Sequence, residues 1–504
     1  MLAWTIYISF LGVLVLMLLP RDAARAARIV ALFTAVLGCG VALVGAMQLA
    51  QQGNVGEVTT IVKTDWIPAI GAHYYLAADG ISLVLVVLTG LAAIAGILFS
   101  WNVEKRTKEF FAFYLALIGG VYGVFLSFDV LLLFVFYELT IIPKYFLIAR
   151  WGSTRKEYGA MKLALYSFVG SHLVLIGLIA AWVVARGQLG HPSLNLLELS
   201  QLVHFPAGFQ CWVFPLVFIG FAILAGMWPF HTWAPTGHVA APTAGSMLLA
   251  GVVMKLGAYG CLRVAMVMFP EGARHWQWAI AALAVVGIIY GAGVALVQRD
   301  FKFVIGYSSV SHMGFVLLGL ATLNTIGLDG AVLQMFSHGI IAGLLFAVVG
   351  RMVYDRTHTR DFNDLEKMNL GKLLPFAGVT FTIAGVASMG LPGFSGFVAE
   401  FQVLMGAWQV FPKMTILSGV GIILGVAYTL RALQKAFYSD APPAAHDGHE
   451  DHPLEPISGP ERAGAVLLIA ASLVIGLFPT LLMNWIEPCF RSQLFARLLN
   501  GGAQ

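Results

Sequence analysis

The chain has 504 residues, of which 59% are hydrophobic and only 11% are charged, and its mean hydropathy is +0.85. This composition excludes a soluble globular protein and indicates one that crosses a membrane many times. The net charge of +4 is too small to indicate a nucleic-acid-binding face. Its four cysteines show no CxxC spacing, so neither a disulfide framework nor an iron–sulfur site is predicted.

Stretches of about 18 or more mostly apolar residues predict an all-α protein with roughly fourteen membrane spans. The first stretch ends at Pro20-Arg21 without the small-residue cleavage site of a signal peptide, so we expect a retained helix. The predicted spans lie near residues 2–19, 28–50, 80–99, 111–127, 129–148, 160–185, 210–232, 243–267, 277–297, 302–322, 330–352, 374–409, 415–438 and 462–486.

Basic residues are concentrated in the loops that follow odd-numbered spans. These loops contain Arg21, Arg25, Arg28, Lys105, Arg106, Lys108, Arg150, Arg155, Lys156, Arg299, Lys302, Arg356, Arg360, Lys367 and Lys372. Loops after even-numbered spans carry only single basic residues. The positive-inside rule therefore predicts a multi-pass protein of the inner (cytoplasmic) membrane with both termini on the outer, periplasmic face.

Spans 7 and 12 contain proline and glycine clusters, around Pro229 and Pro392, that should break each helix. A broken helix in a bilayer persists where its freed backbone groups line a polar cavity. The breaks lie five spans apart, which predicts an inverted repeat with ion sites at the midplane. The expected parts are residues 1–110 (helices 1–3), 111–267 (first repeat), 268–440 (second repeat) and 441–504 (a linker and helix 14).

Four charged residues lie inside apolar spans: Glu138 and Lys144 in span 5, Lys255 in span 8 and Glu400 in span 12. One such charge near the bilayer centre costs roughly 2.5–3.5 kcal/mol before any pairing. We therefore expect the chain to transport ions. The alternatives are a satisfied core carboxyl for Glu138, a helix-dipole partner for Glu400, and a side chain that extends to the membrane surface for Lys144.

Histidines in the spans are further candidates for proton transfer. His312 and His338 lie within spans 10 and 11, where each could relay protons or serve as a hydrogen-bonded core residue. His231 and His238 flank the break in span 7, where they could cap free backbone groups instead. The acidic and histidine-rich segment 446–452 superficially resembles a metal site, but its proline-rich surroundings favour a solvated linker.

Several of these residues lie in motifs that resemble a known family. The motifs are Phe-Tyr-Glu138-Leu-Thr-Ile-Ile-Pro-Lys-Tyr-Phe-Leu-Ile, Pro-Phe-His231-Thr-Trp-Ala-Pro, Tyr-Ser-Ser-Val-Ser-His312-Met-Gly-Phe-Val and Gly-Leu-Pro-Gly-Phe-Ser-Gly-Phe-Val-Ala-Glu400-Phe. They are similar to motifs of the antiporter-like membrane subunits of respiratory complex I, and the similarity covers nearly the whole chain. Glutamate at position 400 resembles the M-type subunit, because other family members typically carry lysine there.

The resemblance implies a 14-helix proton channel coupled at a distance to NADH oxidation by quinone in other subunits. It further implies that Glu138 is the helix 5 carboxylate, Lys255 the central relay lysine, His312 and His338 the connecting histidines, and Glu400 the terminal group. One position departs from the family pattern, because the usual helix 7 lysine is Leu224 here. Lys144 is the candidate replacement, because the family commonly has an uncharged residue at that position.

Three functions remain open from the sequence. The first is a proton-translocating subunit of NADH:quinone oxidoreductase, with neighbouring antiporter-like subunits as partners and no cofactor or redox centre in this chain. The second is a subunit of an Mrp-type sodium/proton antiporter or of a membrane-bound hydrogenase. The third is a scaffold subunit that no longer conducts, for which Leu224 is the main argument.

Overall fold

The structure, a computed structural model, describes residues 1–53, 55–439 and 454–500, so the segment 446–452 lies outside the described residues. The described part is almost entirely helical. Its α-helices are α1 (Trp4–Leu18), α2 (Ala24–Gln51), α3 (Gly80–Leu98), α4 (Thr107–Leu126), α5 (Val130–Leu139), α6 (Ile141–Trp151), α7 (Lys156–Leu189), α8 (Leu196–Gln201), α9 (Ala207–Ala225), α10 (Trp233–Ala240), α11 (Thr243–Leu248), α12 (Met254–Gly260), α13 (Pro270–Val297), α14 (Phe301–Ala321), α15 (Thr325–Ala347), α16 (Asp355–Thr357), α17 (Phe362–Met368), α18 (Leu370–Leu373), α19 (Pro375–Ser388), α20 (Ser395–Val410), α21 (Pro412–Phe437), α22 (Gly459–Leu477), α23 (Thr480–Phe490) and α24 (Gln493–Asn500).

The predicted all-α membrane fold is confirmed. Within the described residues, 12 helical stretches are long and apolar enough to cross a membrane, while α1 and α19 are shorter apolar helices. The count of fourteen spans therefore stays a prediction. Span 5 was predicted as one helix, but it is divided at Thr140 into α5 and α6.

The sequence analysis missed a β-hairpin between α2 and α3. Its strands β1 (Thr59–Ile67) and β2 (Ala72–Ala78) pair antiparallel, with Thr59 opposite Ala78. Helix α8 is tied to the hairpin turn, because Leu194 N donates to Gly71 O, and α24 packs on α8. We call this side of the molecule the hairpin end. The basic loops after α3, α6 and α16 lie at the opposite side, the basic end.

Both predicted helix breaks are confirmed, and they share two backbone features. Helix α9 stops at Ala225 and α10 starts at Trp233, whereas α19 stops at Ser388 and α20 starts at Ser395. Each break begins at a glycine with a positive φ, 83° at Gly226 and 75° at Gly390, a conformation that residues with a Cβ rarely adopt. Both breaks also contain the predicted proline.

A second set of matched contacts supports the inverted repeat. In each half, the segment at the start of one helix exchanges two backbone hydrogen bonds with the segment at the start of a short surface helix. The four bonds are Val130 N to Leu194 O and Leu196 N to Phe128 O in the first half, and Phe301 N to Arg360 O and Phe362 N to Arg299 O in the second. Asp129 and Asp300 cap the two helices in the same way. The exact repeat boundaries remain a prediction.

Helix α22 is tied to the bundle by a buried charge cluster at the basic end. Arg351 Nε donates to Glu461 Oε1 over 2.6 Å, and Arg356 Nη2 donates to Glu461 Oε2 over 2.8 Å. The Glu461 side chain is only 2% exposed. The stretches Thr243–Met266 and Thr325–Thr357 are the most buried of the long helical segments, so the molecule's centre is formed by α11, α12 and α15.

Candidate functional site

The centre of the bundle holds Lys255, whose side chain is fully buried on α12. The turn directly before α12, Leu249–Val253, is π-helical, and the Lys255 ammonium donates to the carbonyl oxygen of Ala250 within it. Such π-helical turns are frequent at functional sites. The Nζ of Lys255 also lies 2.7 Å from Nδ1 of His338 on α15. The structure thus brings these two predicted residues into direct contact.

The contact continues from His338 to the break in the second half. The rings of His338 and His312 lie 5.5 Å apart between centroids, at an angle of 30°. His312 Nδ1 is 2.9 Å from Glu400 Oε1, and its Nε2 is 3.1 Å from Ser388 Oγ. Gln334 Nε2 donates to the same carboxylate oxygen over 3.3 Å. Four of the six predicted site residues therefore form one continuous line.

A small cavity lies along this line. It is bordered by His312, His338, Ser337 and Glu400 and encloses about 10 Å³, which is close to the minimum needed for one water molecule. His312 and His338 are neighbours in the line but share no direct hydrogen bond. The cavity between them has room for one water, which would connect them.

The two remaining predicted residues, Glu138 and Lys144, lie apart from this line in the first half. The Lys144 side chain is buried at 1% exposure, so it does not extend to the membrane surface. Among the described residues, neither its Nζ nor the buried Oε1 of Glu138 has a hydrogen-bond partner, and the two form no ion pair. Their charges still interact electrostatically.

Lys144 does not take the position of Leu224. Leu224 lies near the end of α9, which packs mainly on α7, α12 and α13, and its side chain is buried. Lys144 lies on α6, which packs mainly on α7 and α4. If Lys144 replaces the helix 7 lysine, its charge therefore approaches Glu138 from α6 and not from α9.

Of the two histidines at the first break, the His238 ring forms no hydrogen bond with the described residues, whereas His231 lies beside the Pro229 backbone. The carbonyl of Ile223, which also accepts from Gly226 N, accepts a hydrogen bond from Trp233 Nε1 over 2.7 Å. His231 packs against Tyr290, with ring centroids 5.1 Å apart. His238 is fully buried 4.8 Å from the ring of Phe346, and no described residue hydrogen-bonds either of its nitrogens.

Sequence reasoning missed a buried ion pair between Arg263 and Asp79. Their side chains are 0% and 1% exposed, and Arg263 Nη2 lies 2.7 Å from both carboxylate oxygens of Asp79. The position of Arg263 inside predicted span 8 was an available signal. Its partner could not be found from the sequence, because Asp79 lies on α3's N-terminus, 184 positions earlier.

The sequence matches the family model described as NADH:quinone oxidoreductase/Mrp antiporter, TM, over residues 127–425. It is 38% identical to NADH-quinone oxidoreductase subunit M of Rhodobacter capsulatus over 432 residues, covering 84% of this chain and 82% of that one. It is also 34% identical to NADH-quinone oxidoreductase subunit M of Escherichia coli (strain K12) over 490 residues, covering 95% and 94% of the two chains.

Solved structures give the same result. A chain of respiratory complex I from Thermus thermophilus with bound NADH superposes with a TM-score of 0.87 at 27% identity, covering 99% of this chain and 100% of that one. A chain of the Mrp complex from Dietzia sp. DQ12-45-1b gives a TM-score of 0.79 at 20% identity, covering 99% and 97%. The second likeness concerns the fold alone.

Proposed function

The chain belongs to the NADH:quinone oxidoreductase/Mrp antiporter family as an M-type membrane-arm subunit, and from this premise we propose that it translocates protons across the membrane. The observation that carries the proposal is the continuous line from Lys255 through His338 and His312 to Glu400. Each of these four side chains can bind and release a proton, and together they connect the centre of the bundle to the break in the second half.

The hydrogen-bond chemistry of the line supports stepwise transfer. A lysine ammonium can only donate, so His338 Nδ1 accepts in its contact with Lys255, and the His338 ring then carries its own proton on Nε2. Transfer from Lys255 to Nδ1 leaves a neutral amine and an imidazolium. The imidazolium can release its Nε2 proton towards His312. His312 Nδ1 donates to Glu400, which is the terminal acceptor.

Glu138 and Lys144 are proposed as the charge-setting pair of the first half. Two charges in a low-dielectric interior influence each other's protonation without touching. A change in the net charge of this pair would alter how strongly Lys255 holds its proton. Moving one proton against 100 mV requires about 2.3 kcal/mol, which electron transfer in other subunits would supply.

The proposed setting is the inner (cytoplasmic) membrane, with both termini and the hairpin end on the outer face. The partners are other membrane subunits of a multi-subunit complex, including neighbouring antiporter-like subunits, and the surrounding lipids. We place no cofactor or redox centre in this chain. The line from Lys255 to Glu400, with one gap of water size between its histidines, favours a conducting subunit over a scaffold, and the subunit M relatives favour the respiratory complex over a sodium/proton antiporter or a hydrogenase.

The test is replacement of the central lysine in the reconstituted complex. Lys255→Ala should depress proton pumping in vesicles while the membrane arm stays assembled. Lys413→Ala is the matched control, because Lys413 is an exposed lysine at the start of α21. Unchanged pumping and quinone reduction in the Lys255 variant would leave this lysine as a structural charge and refute the proposed line.

A further inference from the structure

In the line from Lys255 to Glu400, here called the proton line, the ring of His312 is already occupied at both nitrogens. Its Nδ1 lies 2.9 Å from Glu400 Oε1, and its Nε2 lies 3.1 Å from Ser388 Oγ. A ring nitrogen has one proton or one lone pair, so each nitrogen serves one hydrogen bond. A proton that comes from His338 therefore enters the His312 ring only through one of these two partners.

The small cavity supplies the acceptor that His338 needs. Nδ1 of His338 contacts Lys255, and no described residue hydrogen-bonds its Nε2. His338, His312 and Ser388 all border the cavity of about 10 Å³. One water fits a cavity of this size and can accept the Nε2 proton. The next acceptor after this water decides the route.

Four serines border this cavity, and among the described residues only the hydroxyl of Ser388 contacts a ring of the proton line. The hydroxyls of the other three are bonded to a backbone carbonyl, to a serine and to a tyrosine; these three are Ser309, Ser337 and Ser308. Ser388 is the last residue of α19, directly before the second break, and its side chain is buried. Its position at the end of the broken helix thus brings a hydroxyl to His312.

The direction of the hydrogen bond to Ser388 follows from the other side of the ring. Because His312 Nδ1 donates to the Glu400 carboxylate, its Nε2 holds the lone pair and the Ser388 hydroxyl donates to it. A hydroxyl oxygen can itself accept two hydrogen bonds. The Tyr428 hydroxyl is a neighbour of Ser388, which leaves one acceptor position for the cavity water.

We propose that Ser388 is a catalytic residue of the proton line that passes the proton from the cavity water to His312 Nε2. The inference rests on the proposed function. In this step the His338 imidazolium gives its Nε2 proton to the water, and the water gives a proton to Ser388 Oγ. The original hydroxyl proton of Ser388 moves to His312 Nε2, and the Nδ1 proton of His312 moves to Glu400. Each intermediate group gains one proton and loses one, so His338 ends neutral and Glu400 ends as a carboxylic acid.

A competing route bypasses the ring. Glu400 also borders the cavity, so a water that reached its carboxylate directly would need neither Ser388 nor His312. In that case the hydroxyl at position 388 would only orient the imidazole or fill space. The two routes differ in whether a hydroxyl at this position is required for transfer.

The experiment compares Ser388→Thr with Ser388→Val in the complete complex in vesicles and measures proton pumping during NADH oxidation. Threonine and valine have nearly the same shape, but only threonine has a hydroxyl. A positioned proton-transfer group contributes about 10²–10⁴-fold to a rate, so Ser388→Val should pump through this subunit at least about a hundredfold more slowly than Ser388→Thr. Thr380→Val is the matched control and should pump like the parent, because Thr380 is a buried threonine on the same helix whose hydroxyl donates to Phe376 O.

Two further variants complete the test. Ser388→Ala is smaller than the parent and also lacks the hydroxyl, so it carries the expectation of Ser388→Val if the larger side chains prevent assembly. Ser388→Asn offers an amide N–H that can hold the imidazole but does not pass a proton on, so it should not pump. Pumping by an assembled asparagine variant would show that orientation alone suffices and would overturn the relay.

Equal pumping by the threonine and valine variants, or parental pumping by an assembled valine or alanine variant, would also overturn it. The Lys255→Ala complex separates this failure from a failure of the proposed function. If Lys255→Ala pumps normally, the proposed function is wrong. If Lys255→Ala loses pumping while Ser388→Val keeps it, only the role of Ser388 is wrong.

Discussion

Glu400→Gln is the substitution that tests the end of the proton line most directly. Glutamine has nearly the same shape as glutamate and can still accept the hydrogen bond from His312 Nδ1, which is 2.9 Å from the carboxylate. What the substitution removes is the negative charge and the ability to bind the arriving proton. Any effect on pumping is therefore an effect of charge rather than of packing.

The size of the effect follows from the geometry. The side chains of His312 and Glu400 are only 12% and 8% exposed, so water screens their interaction little. Two unit charges about 4 Å apart attract each other by about 4 kcal/mol at an effective dielectric constant of about 20. Glu400→Gln removes an attraction of this size together with the group that accepts the proton, so transfer from His312 to position 400 should stop.

The assay is proton pumping by the reconstituted complex during NADH oxidation, with quinone reduction measured in parallel. Pumping through this subunit should fall to background in Glu400→Gln. Glu366→Gln is the control, because Glu366 forms a comparable ion pair with Lys435 at 2.7 Å, but on the surface, with side chains 36% and 29% exposed. Exposed pairs contribute about 1 kcal/mol or less, so this control should pump like the parent.

A Glu400→Gln complex that pumps the parental number of protons per electron would refute the reasoning. Glu400 would then be a partner of the histidine without a role in transfer. Loss of pumping in the Glu366 control as well would show that the assay reports assembly and not proton transfer.

Lys144→Met should lower the proton-to-electron ratio, and adding Leu224→Lys should restore it; failure of this rescue in an assembled complex would exclude Lys144 as the cation of the first half. Glu461→Ala leaves the buried Arg356 without a carboxylate and Arg351 with Asp355 alone, which should destabilise the protein by about 3–5 kcal/mol and lower its melting temperature, whereas an unchanged melt would show that the cluster is dispensable. Burial raises the pKa of Asp300, although Arg360 and two backbone amides lower it. Its protonated form is thus favoured in the folded protein, so this group's stabilising contribution is lost as the pH rises through the folded-state pKa. The free energy of unfolding of the parent should therefore fall relative to that of Asp300→Asn as the pH rises through this pKa.

The sequence predicted the features that depend on local chemistry. Pro229 and Pro392 remove a backbone donor wherever they lie, so the helix breaks could be located without a structure. The charges at positions 255 and 400 are expensive in any membrane helix, so they were recognisable as functional candidates. The resemblance implied that the two histidines connect Lys255 to Glu400, but that His338 contacts Lys255 and His312 contacts Glu400 could not be predicted, because it depends on how α12, α14, α15 and α20 pack.

Other features had weak or ambiguous sequence signals. The hairpin of residues 59–78 is a mixture of polar and apolar residues between two strong spans, without a regular alternation that would mark its strands. The interruption of span 5 at Thr140 has no glycine, and the nearby Pro143 lies inside the next helix. The pair of Arg263 with Asp79 joins residues that only the tertiary fold brings together.

The matched backbones of the two halves make their chemical difference informative. Counting back two residues from the glycine that opens each break gives Leu224 in the first half and Ser388 in the second. Ser388 Oγ lies 3.1 Å from Nε2 of His312, a member of the line, whereas Leu224 is apolar and buried. The two halves therefore share a scaffold but hold their titratable groups in different places. The second half holds its titratable groups at the break, while the first holds Glu138 and Lys144 in one interrupted helix away from it. Because Lys255 lies on the last helix of the first half and contacts the second, it is where the charge of one arrangement can act on the proton of the other.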